Sequence, residues 1–320
     1  MGKSFLVGVG SYLPERIVTN HELAQSLETS DSWIRERTGI GQRHVAAPGE
    51  LTSDLATKAC QEALKAAGIS LSQVDLLIVA TSTPDNTFPA TATRVQANLG
   101  MTRGMAFDMS AACSGFVFAL ATADMYLSQG LAQTALVVGA ETFSRIMDWE
   151  DRTTAILFGD GAGAVVLMAT SDTDKRGLLG HVLHTDGRGY DSLYVSGGPS
   201  SSPLVGTIQM NGREVYKNAV QRLGQAVDEI LEKTQTSSEA IDWLVPHQAN
   251  LRIIDSVLER LSLSREKAIL TIDRHANTSA ASIPLALDWG IREGHIQPGQ
   301  LLLLEAFAAG FAWGANLIRL

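Results

Sequence analysis

The chain has 320 residues, 45% of them apolar, with a formal net charge of −9 and an isoelectric point near 5.3. That is enough apolar sequence for one large domain or two of about 150 residues each. It is also too acidic a balance for nucleic acid as the main partner, which requires clustered cations against phosphate.

The opening stretch, MGKSFLVGVGSYLPER, has a short apolar run, no small-residue cleavage site, and Pro14 and Glu15 close behind. It reads as a first strand rather than a signal peptide, and Leu6 breaks the myristoylation pattern. Predicted strands follow at 76–80, 106–109, 135–138, 164–167, 243–245 and 301–304, after a first one at 5–8. Predicted helices lie between them at 52–67, 114–129 and 214–233. This β, α, β, α order predicts a mostly parallel sheet covered by helices. No uncharged apolar run approaches the roughly 18 residues that a membrane span needs, so no membrane partner is expected. Two cysteines, Cys60 and Cys113, make neither a disulfide framework nor a four-ligand zinc site. Free thiols point to a reducing cytoplasm.

The second half echoes the first. The run at 74–77 resembles the run 167 residues later at 241–244, and 135–140 resembles 301–306 at an offset of 166. Between them, Ala112-Cys113-Ser114 stands opposite Ala276-Asn277-Thr278, an offset of 164 (113 to 277). Three pairs in register favour duplication: two similar α/β halves, 1–172 and 173–320, with a crossover near 170–177. Equivalent turns from each half would then face one another.

Three residues carry the candidate chemistry. Cys113 ends a strand–turn segment and opens a long apolar helix, where free N–H groups and the helix dipole favour a thiolate; an inert core thiol is the competing reading. Cys60, inside an amphipathic helix, has no such setting and reads as structural. His247 follows a strand, at the end where open α/β sheets place their sites; a satisfied polar residue is the alternative. Asn277, the repeat-mate of Cys113, reads equally as a helix N-cap. Jointly they suggest a cysteine that carries an acyl group, beside two donors for a developing enolate oxygen. A hydrolase with Cys, His and Asn remains open, although the protease flanks around the cysteine are absent.

Six strings in order resemble the β-ketoacyl-acyl-carrier-protein synthase III family: ETSDSWIRERTGI (28–40), SAACSGF (110–116), LFGDGAGAVVL (157–167), VPHQANLRI (245–253), HANTSAASIP (275–284) and AFAAGFAWGANL (306–317). The resemblance runs the length of the chain. It implies the thiolase fold, two duplicated α/β halves in a five-layered α-β-α-β-α arrangement. It also implies an acyltransferase that initiates fatty-acid synthesis by ping-pong chemistry. Cys113 takes an acyl group from acyl-CoA; malonyl-acyl-carrier protein then loses carbon dioxide, with His247 and Asn277 stabilising the enolate.

The same resemblance places Thr29, Trp33, Arg37, Arg152, Gly212 and Asn250 against CoA and its pantetheine arm. It places the amides of Cys113 and Ala309 in an oxyanion hole, and Phe88 and Phe307 at the acyl pocket, Phe88 reaching across a homodimer interface. Arg213, Lys217 and Arg252 form a local basic patch that suits an acidic carrier protein. Acyl-CoA and malonyl-carrier protein are substrates, so neither a metal nor a resident cofactor is expected. Gly159–Gly163 precedes a strand instead of opening a helix, which argues against a nucleotide loop. His181 and His184 point to opposite faces of a strand and suit no metal. One departure stands out: Ala308-Ala309-Gly310 occupies a place where the family has three glycines. It bears on the acyl pocket, and it keeps open a specialised relative of secondary metabolism. A non-enzymatic thiolase-fold scaffold would be expected to lose one of Cys113, His247 or Asn277, and a thioester hydrolase would need an activated water.

Overall fold

A computed structural model describes residues 3–170, 176–202 and 204–320. The chain opens with β1 (Lys3–Tyr12) and an arm made of β2 (Arg16–Thr19), α1 (Asn20–Leu23), α2 (Asp31–Thr38) and β3 (Gln42–Val45). Alternation follows through α3 (Thr52–Ala67), β4 (Leu76–Ala80), α4 (Thr91–Leu99), β5 (Met105–Met109), α5 (Gly115–Ser128), β6 (Thr134–Thr142), α6 (Arg152–Ala155) and β7 (Asp160–Thr170). The later part runs β8 (Gly177–Thr185), β9 (Leu193–Val195), β10 (Ile208–Met210), α7 (Gly212–Thr234), β11 (Trp243–Pro246) and α8 (Leu251–Leu261). It ends with α9 (Ile272–His275), α10 (Ser282–Arg292), β12 (Leu301–Ala308) and β13 (Ala312–Arg319). The expected crossover falls largely on 171–175, outside the described residues.

Local chemistry explains the elements that the sequence predicts well. Helix α3 buries Leu55, Ala59, Cys60 and Ala63 on one face, the i, i+4 spacing of an amphipathic helix. Gly68 then adopts φ +65 and its N–H bonds back to Leu64 and Lys65, the left-handed cap that glycine accepts without strain. Helix α5 is instead apolar nearly all round, and the structure gives the reason: it lies in a central layer.

Two sheets frame that layer. The first has order β1-β7-β6-β4-β5, the second β11-β12-β13-β8. Read from β1 and from β8, the strands correspond one to one, and the fifth position of the second sheet shrinks to a single parallel bridge between Leu244 and Ala268. Residues alternate between faces as strand geometry requires. Ile78, Val137 and Leu167 of the first sheet pack with Leu302, Leu304 and Ile318 of the second around α5 and α10. Leu77, Val79 and Val138 face α3 and α4, while Leu303, Phe307 and Leu317 face α7 and α8. The result is five layers, α-β-α-β-α.

The expectation of a mostly parallel arrangement needs correction. Only β4 pairs parallel with its two neighbours in the first sheet, and only β11 with β12 in the second. β7 runs antiparallel to β1 and β6, and β13 antiparallel to β12 and β8. Three residues separate β12 from β13, far too few for the crossover of a dozen or more that parallel neighbours require.

His181 and His184 do point to opposite faces of β8. The former bonds Asp124 of α5 and Asn316, the latter Glu229 of α7. Gly163 lies in β7, where a Cβ would come within 2.7 Å of the α10 backbone; close packing explains that glycine run.

Candidate active site

The two turns that the repeat pairs do converge. Cys113, His247 and Asn277 line one cavity of about 210 Å³, together with Leu157, Phe158, Met210, Gly212, Val215, Asn250, Phe307 and Ala308. Its walls are largely apolar. A wider surface groove beside Tyr12, Glu50 and Lys58 is lined by neither cysteine nor histidine.

Cys113 sits in a 3-10 turn, Ala112–Ser114, that runs into α5. Ala112 has φ +45, a left-handed conformation that costs a non-glycine residue about 1–3 kcal/mol and that packing must hold. The cysteine is 7% exposed and touches Ala308 and Ala312. Burial pushes its thiol up to about 12, with a further rise from the charge of Glu141. Desolvation thus opposes the helix terminus, which favours the thiolate.

His247 follows β11, its amide donating to the carbonyl of Glu305 at 2.8 Å. It is 6% exposed, and its Nδ1 is buried without a hydrogen-bond partner among the described residues. Burial drives the imidazole down to about 3, so it is neutral and carries one N–H to donate.

Asn277 is clamped by backbone bonds on both sides: its amide donates to Leu157, and its carbonyl accepts from Gly159 at 3.0 Å. Its Oδ1 accepts from the amide of Ser279 at 2.9 Å. That is a turn bond within the loop and not the N-cap expected of this asparagine, since the following 3-10 turn is capped at Thr278 and α10 at Ala281. It leaves Nδ2 as the available donor. Gly139 permits the close approach: a Cβ there would lie 2.1 Å from the carbonyl of Ala280.

The remaining sequence candidates fall into three groups. Gly212, Asn250 and Phe307 line the same cavity. Asn250 caps α8 through the amide of Arg252 and donates to the carbonyl of Arg37, tying α2 to α8. The Trp33 ring faces two guanidinium groups, its centroid 5.1 Å from Cζ of Arg152 and 5.6 Å from Cζ of Arg37. That 5.1 Å separation of Arg152 from the indole leaves no room for a base between them, so a base entering there must part them. Arg152 also donates to the carbonyl of Glu28, beside Thr29, whose hydroxyl is buried without a partner among the described residues.

Arg213, Lys217 and Arg252 are exposed, whereas Arg222 of the same helix is engaged by Asp186 and stacked on Trp313. Phe88 does not reach the cavity; it stands 83% exposed. Ala309 lies in the tight turn after β12 and Ala308 is 1% exposed beside Cys113.

Sequence reasoning missed Glu141 and Ser279. Glu141, wholly buried in β6, accepts from the amide of Ser82 and from the hydroxyls of Thr81 and Thr83, the last at 2.6 Å. Burial pushes it up to about 7, and those donors together with Ser279 hold it from going higher. A carboxylate inside the apolar run TALVVGAET was the available signal.

Comparison with known proteins agrees with this geometry. Residues 107–187 match the family described as 3-oxoacyl-[acyl-carrier-protein (ACP)] synthase III, and residues 231–320 its C-terminal part. A curated β-ketoacyl-[acyl-carrier-protein] synthase III from Paramagnetospirillum magneticum is 59% identical over 99% of both chains. The crystal structure of 3-oxoacyl-[acyl-carrier-protein] synthase III from Aquifex aeolicus superposes with a TM-score of 0.94 at 43% identity, covering 99% of this chain and 100% of that one. The priming β-ketosynthase of the R1128 polyketide pathway also superposes at 0.94, with 34% identity and coverage of 99% and 96%. The chain therefore belongs to the β-ketoacyl-[acyl-carrier-protein] synthase III family, acyltransferases of the condensing type.

Proposed function

We propose that the chain joins an acyl-CoA starter to malonyl-acyl-carrier protein by decarboxylative Claisen condensation, initiating fatty-acid synthesis. One observation carries the reading: a nucleophile from one sheet and two neutral hydrogen-bond donors from the other meet in a single apolar-walled cavity. Cys113 attacks the thioester and keeps the acyl group while CoA leaves. The malonyl thioester then enters, and its carbonyl oxygen faces His247 and Asn277 Nδ2. Neutral donors suit this step, because an enolate gains charge there as carbon dioxide departs. The carbanion closes on the acyl-cysteine. Loss of carbon dioxide supplies the carbanion, so the scheme calls for no metal or cofactor. The amides of Cys113 and Ala309 are assigned to the acyl oxyanion.

Supporting roles follow the same scheme. Trp33, Arg37 and Arg152 receive the nucleotide end of CoA, with Thr29, Gly212 and Asn250 along the pantetheine path. Phe307 walls the acyl pocket. Exposed Arg213, Lys217 and Arg252 dock the carrier protein, and Phe88 enters a second copy of the chain in a homodimer. The two halves, 1–172 and 173–320, are read as products of duplication, and the enzyme as cytoplasmic; among the described residues no helix is long and apolar enough to cross a membrane. A specialised priming enzyme is the second reading, favoured by the methyl of Ala308 beside Cys113.

The test is direct. Incubation with acyl-CoA should add the acyl mass at Cys113, and malonyl-carrier protein should then release a 3-ketoacyl product. Free acid released without any malonyl donor would overturn the reading.

A further inference from the structure

The second half-reaction needs two donors on one oxygen, and they arrive on separate segments. His247 comes from the end of β11 and Asn277 from the turn after α9. Both line the cavity that holds Cys113. Donors to a developing enolate must sit about 2.7–3.1 Å from its oxygen, and a displacement of about 1 Å can cost roughly 10²-fold in rate. The two segments therefore have to be fixed against each other.

Gln248, the residue after His247, joins them. It is completely buried and is not among the residues that line the cavity. Its Nε2 donates to the carbonyl of Pro246 at 2.8 Å and to that of Ile269 at 3.2 Å. Its Oε1 accepts from the amides of Thr271 and Ile272 at 2.9 and 3.0 Å. Two carbonyls on one side and two amides on the other allow one orientation of the carboxamide, and in it all of its hydrogen-bonding positions are filled.

These bonds reach both donors. The Pro246 carbonyl belongs to the peptide unit that carries the His247 amide, itself bonded to Glu305 of β12. Thr271 and Ile272 open α9, where the first N–H groups have no acceptor within the helix. Thr271 holds the cap position but makes no cap bond with its own side chain, so Gln248 caps the helix from another segment. The α9 backbone then closes from His275 to Thr271 and from Ala276 to Ile272, and Asn277 follows directly.

The repeat shows what the glutamine replaces. In the first sheet Thr81 follows β4, and its backbone amide donates to the carbonyl of Met109 in β5 at 3.2 Å. Gln248 stands 167 residues later (248 − 81), the offset that relates the start of β4 to the start of β11. There the fifth strand has shrunk to the bridge between Leu244 and Ala268, with the amide of Ile269 donating to Leu244. Where the backbone ladder stops, a side-chain amide with the donor and acceptor of a peptide group continues it.

We propose that Gln248 is a positioning residue for decarboxylation, holding the His247 and Asn277 donors at the spacing that the enolate oxygen requires. It touches no reacting atom. The inference deepens the condensing reading and rests on it.

The test compares wild type with Gln248→Met, which removes all four bonds at similar volume, and Gln248→Glu, which keeps Oε1 for the amides but not the N–H pair. Acyl loading of Cys113 from acetyl-CoA is followed by rapid quench, and decarboxylation by release of labelled carbon dioxide from malonyl-carrier protein. Both variants should load within about threefold of wild type. In Gln248→Met, kcat for decarboxylation should fall on the order of 10- to 100-fold, with KM for malonyl-carrier protein unchanged. Gln248→Glu keeps its link to α9 and should lose less. Melting temperatures report the fold, and if Gln248→Met does not fold, Gln248→Glu alone decides. Loading that falls in step with decarboxylation would make the role merely structural and overturn the proposal. So would decarboxylation within about twofold of wild type in the folded variant. A wild-type enzyme that loads no acyl group, or releases no carbon dioxide, would sink the condensing reading itself, whatever the variants do.

Discussion

The turn at Cys113 and the turn at Asn277 share a backbone and divide the chemistry. Each follows the fifth strand position of its sheet, each leads through a 3-10 turn into a central-layer helix, and each is preceded by an alanine at positive φ, Ala112 at +45 and Ala276 at +58. They differ in what surrounds the side chain. Cys113 is enclosed by small apolar residues, and burial, with a lesser contribution from the charge of Glu141, pushes its thiol up. Asn277 is pinned between the backbones of Leu157 and Gly159, with Oδ1 satisfied and Nδ2 free of a hydrogen bond among the described residues. The scaffold thus repeats a position, and the neighbouring contacts decide whether that position attacks or donates.

The largest effects should separate the two turns by reaction step. Cys113→Ser is expected to lower acyl loading roughly 10³-fold or more, because a hydroxyl in that site is far harder to ionise. Asn277→Ala and His247→Ala should load acyl groups within about threefold of wild type but lose decarboxylation of the malonyl donor by about 10²–10³-fold. Rapid-quench mass spectrometry resolves the two steps. Equal loss of loading in all three variants would break the proposed division.

A second contrast concerns the buried carboxyls, Glu141 at the first sheet and Glu305 at the second. Glu305 is 1% exposed, and burial alone pushes it up to about 8. Its folded pKa lies above its unfolded one, so its contribution to stability is full below about pH 4.5 and is lost as pH rises through 8. His247 and His275, pushed down to about 3 by burial, act with the opposite sign and only below about 6.5. Between pH 6.5 and 8 the carboxyls therefore dominate among these groups, with a slope of up to about 1.4 kcal/mol per pH unit for one group. Denaturation midpoints in that window should fall with rising pH in wild type and fall less in Glu305→Gln. An unchanged slope would mean that Glu305 is not the group titrating.

The smallest effect sharpens the likeness of the turns. Ala112→Gly should stabilise the fold by about 0.5–1 kcal/mol by relieving the left-handed backbone. Ala276→Gly should gain less, since it also gives up a fully buried methyl. Thermal melts measure both, and a loss at Ala112 would show that its methyl contacts outweigh the strain.

Much of this was legible without coordinates. Strands 76–80 and 243–245 and helix 52–67 were clear because apolar periodicity is a local signal. The repeat identified Asn277 as the partner of Cys113, and the motif order carried the family. β8 and β13 were not delimited, and the polarity of the sheets was misjudged, because an apolar run does not say which neighbour it will pair with. The tight turn at 309–311 settles that for β12 and β13.

Sequence by itself determined the alternation, the duplication, and the three residue types at the site, since periodicity and spacing survive in one dimension. Tertiary structure alone decided that burial pushes the Cys113 thiol up and the His247 imidazole down, and that Glu141 and Ser279 are buried. Those properties come from desolvation and from contacts between segments far apart in the chain. No local pattern encodes them.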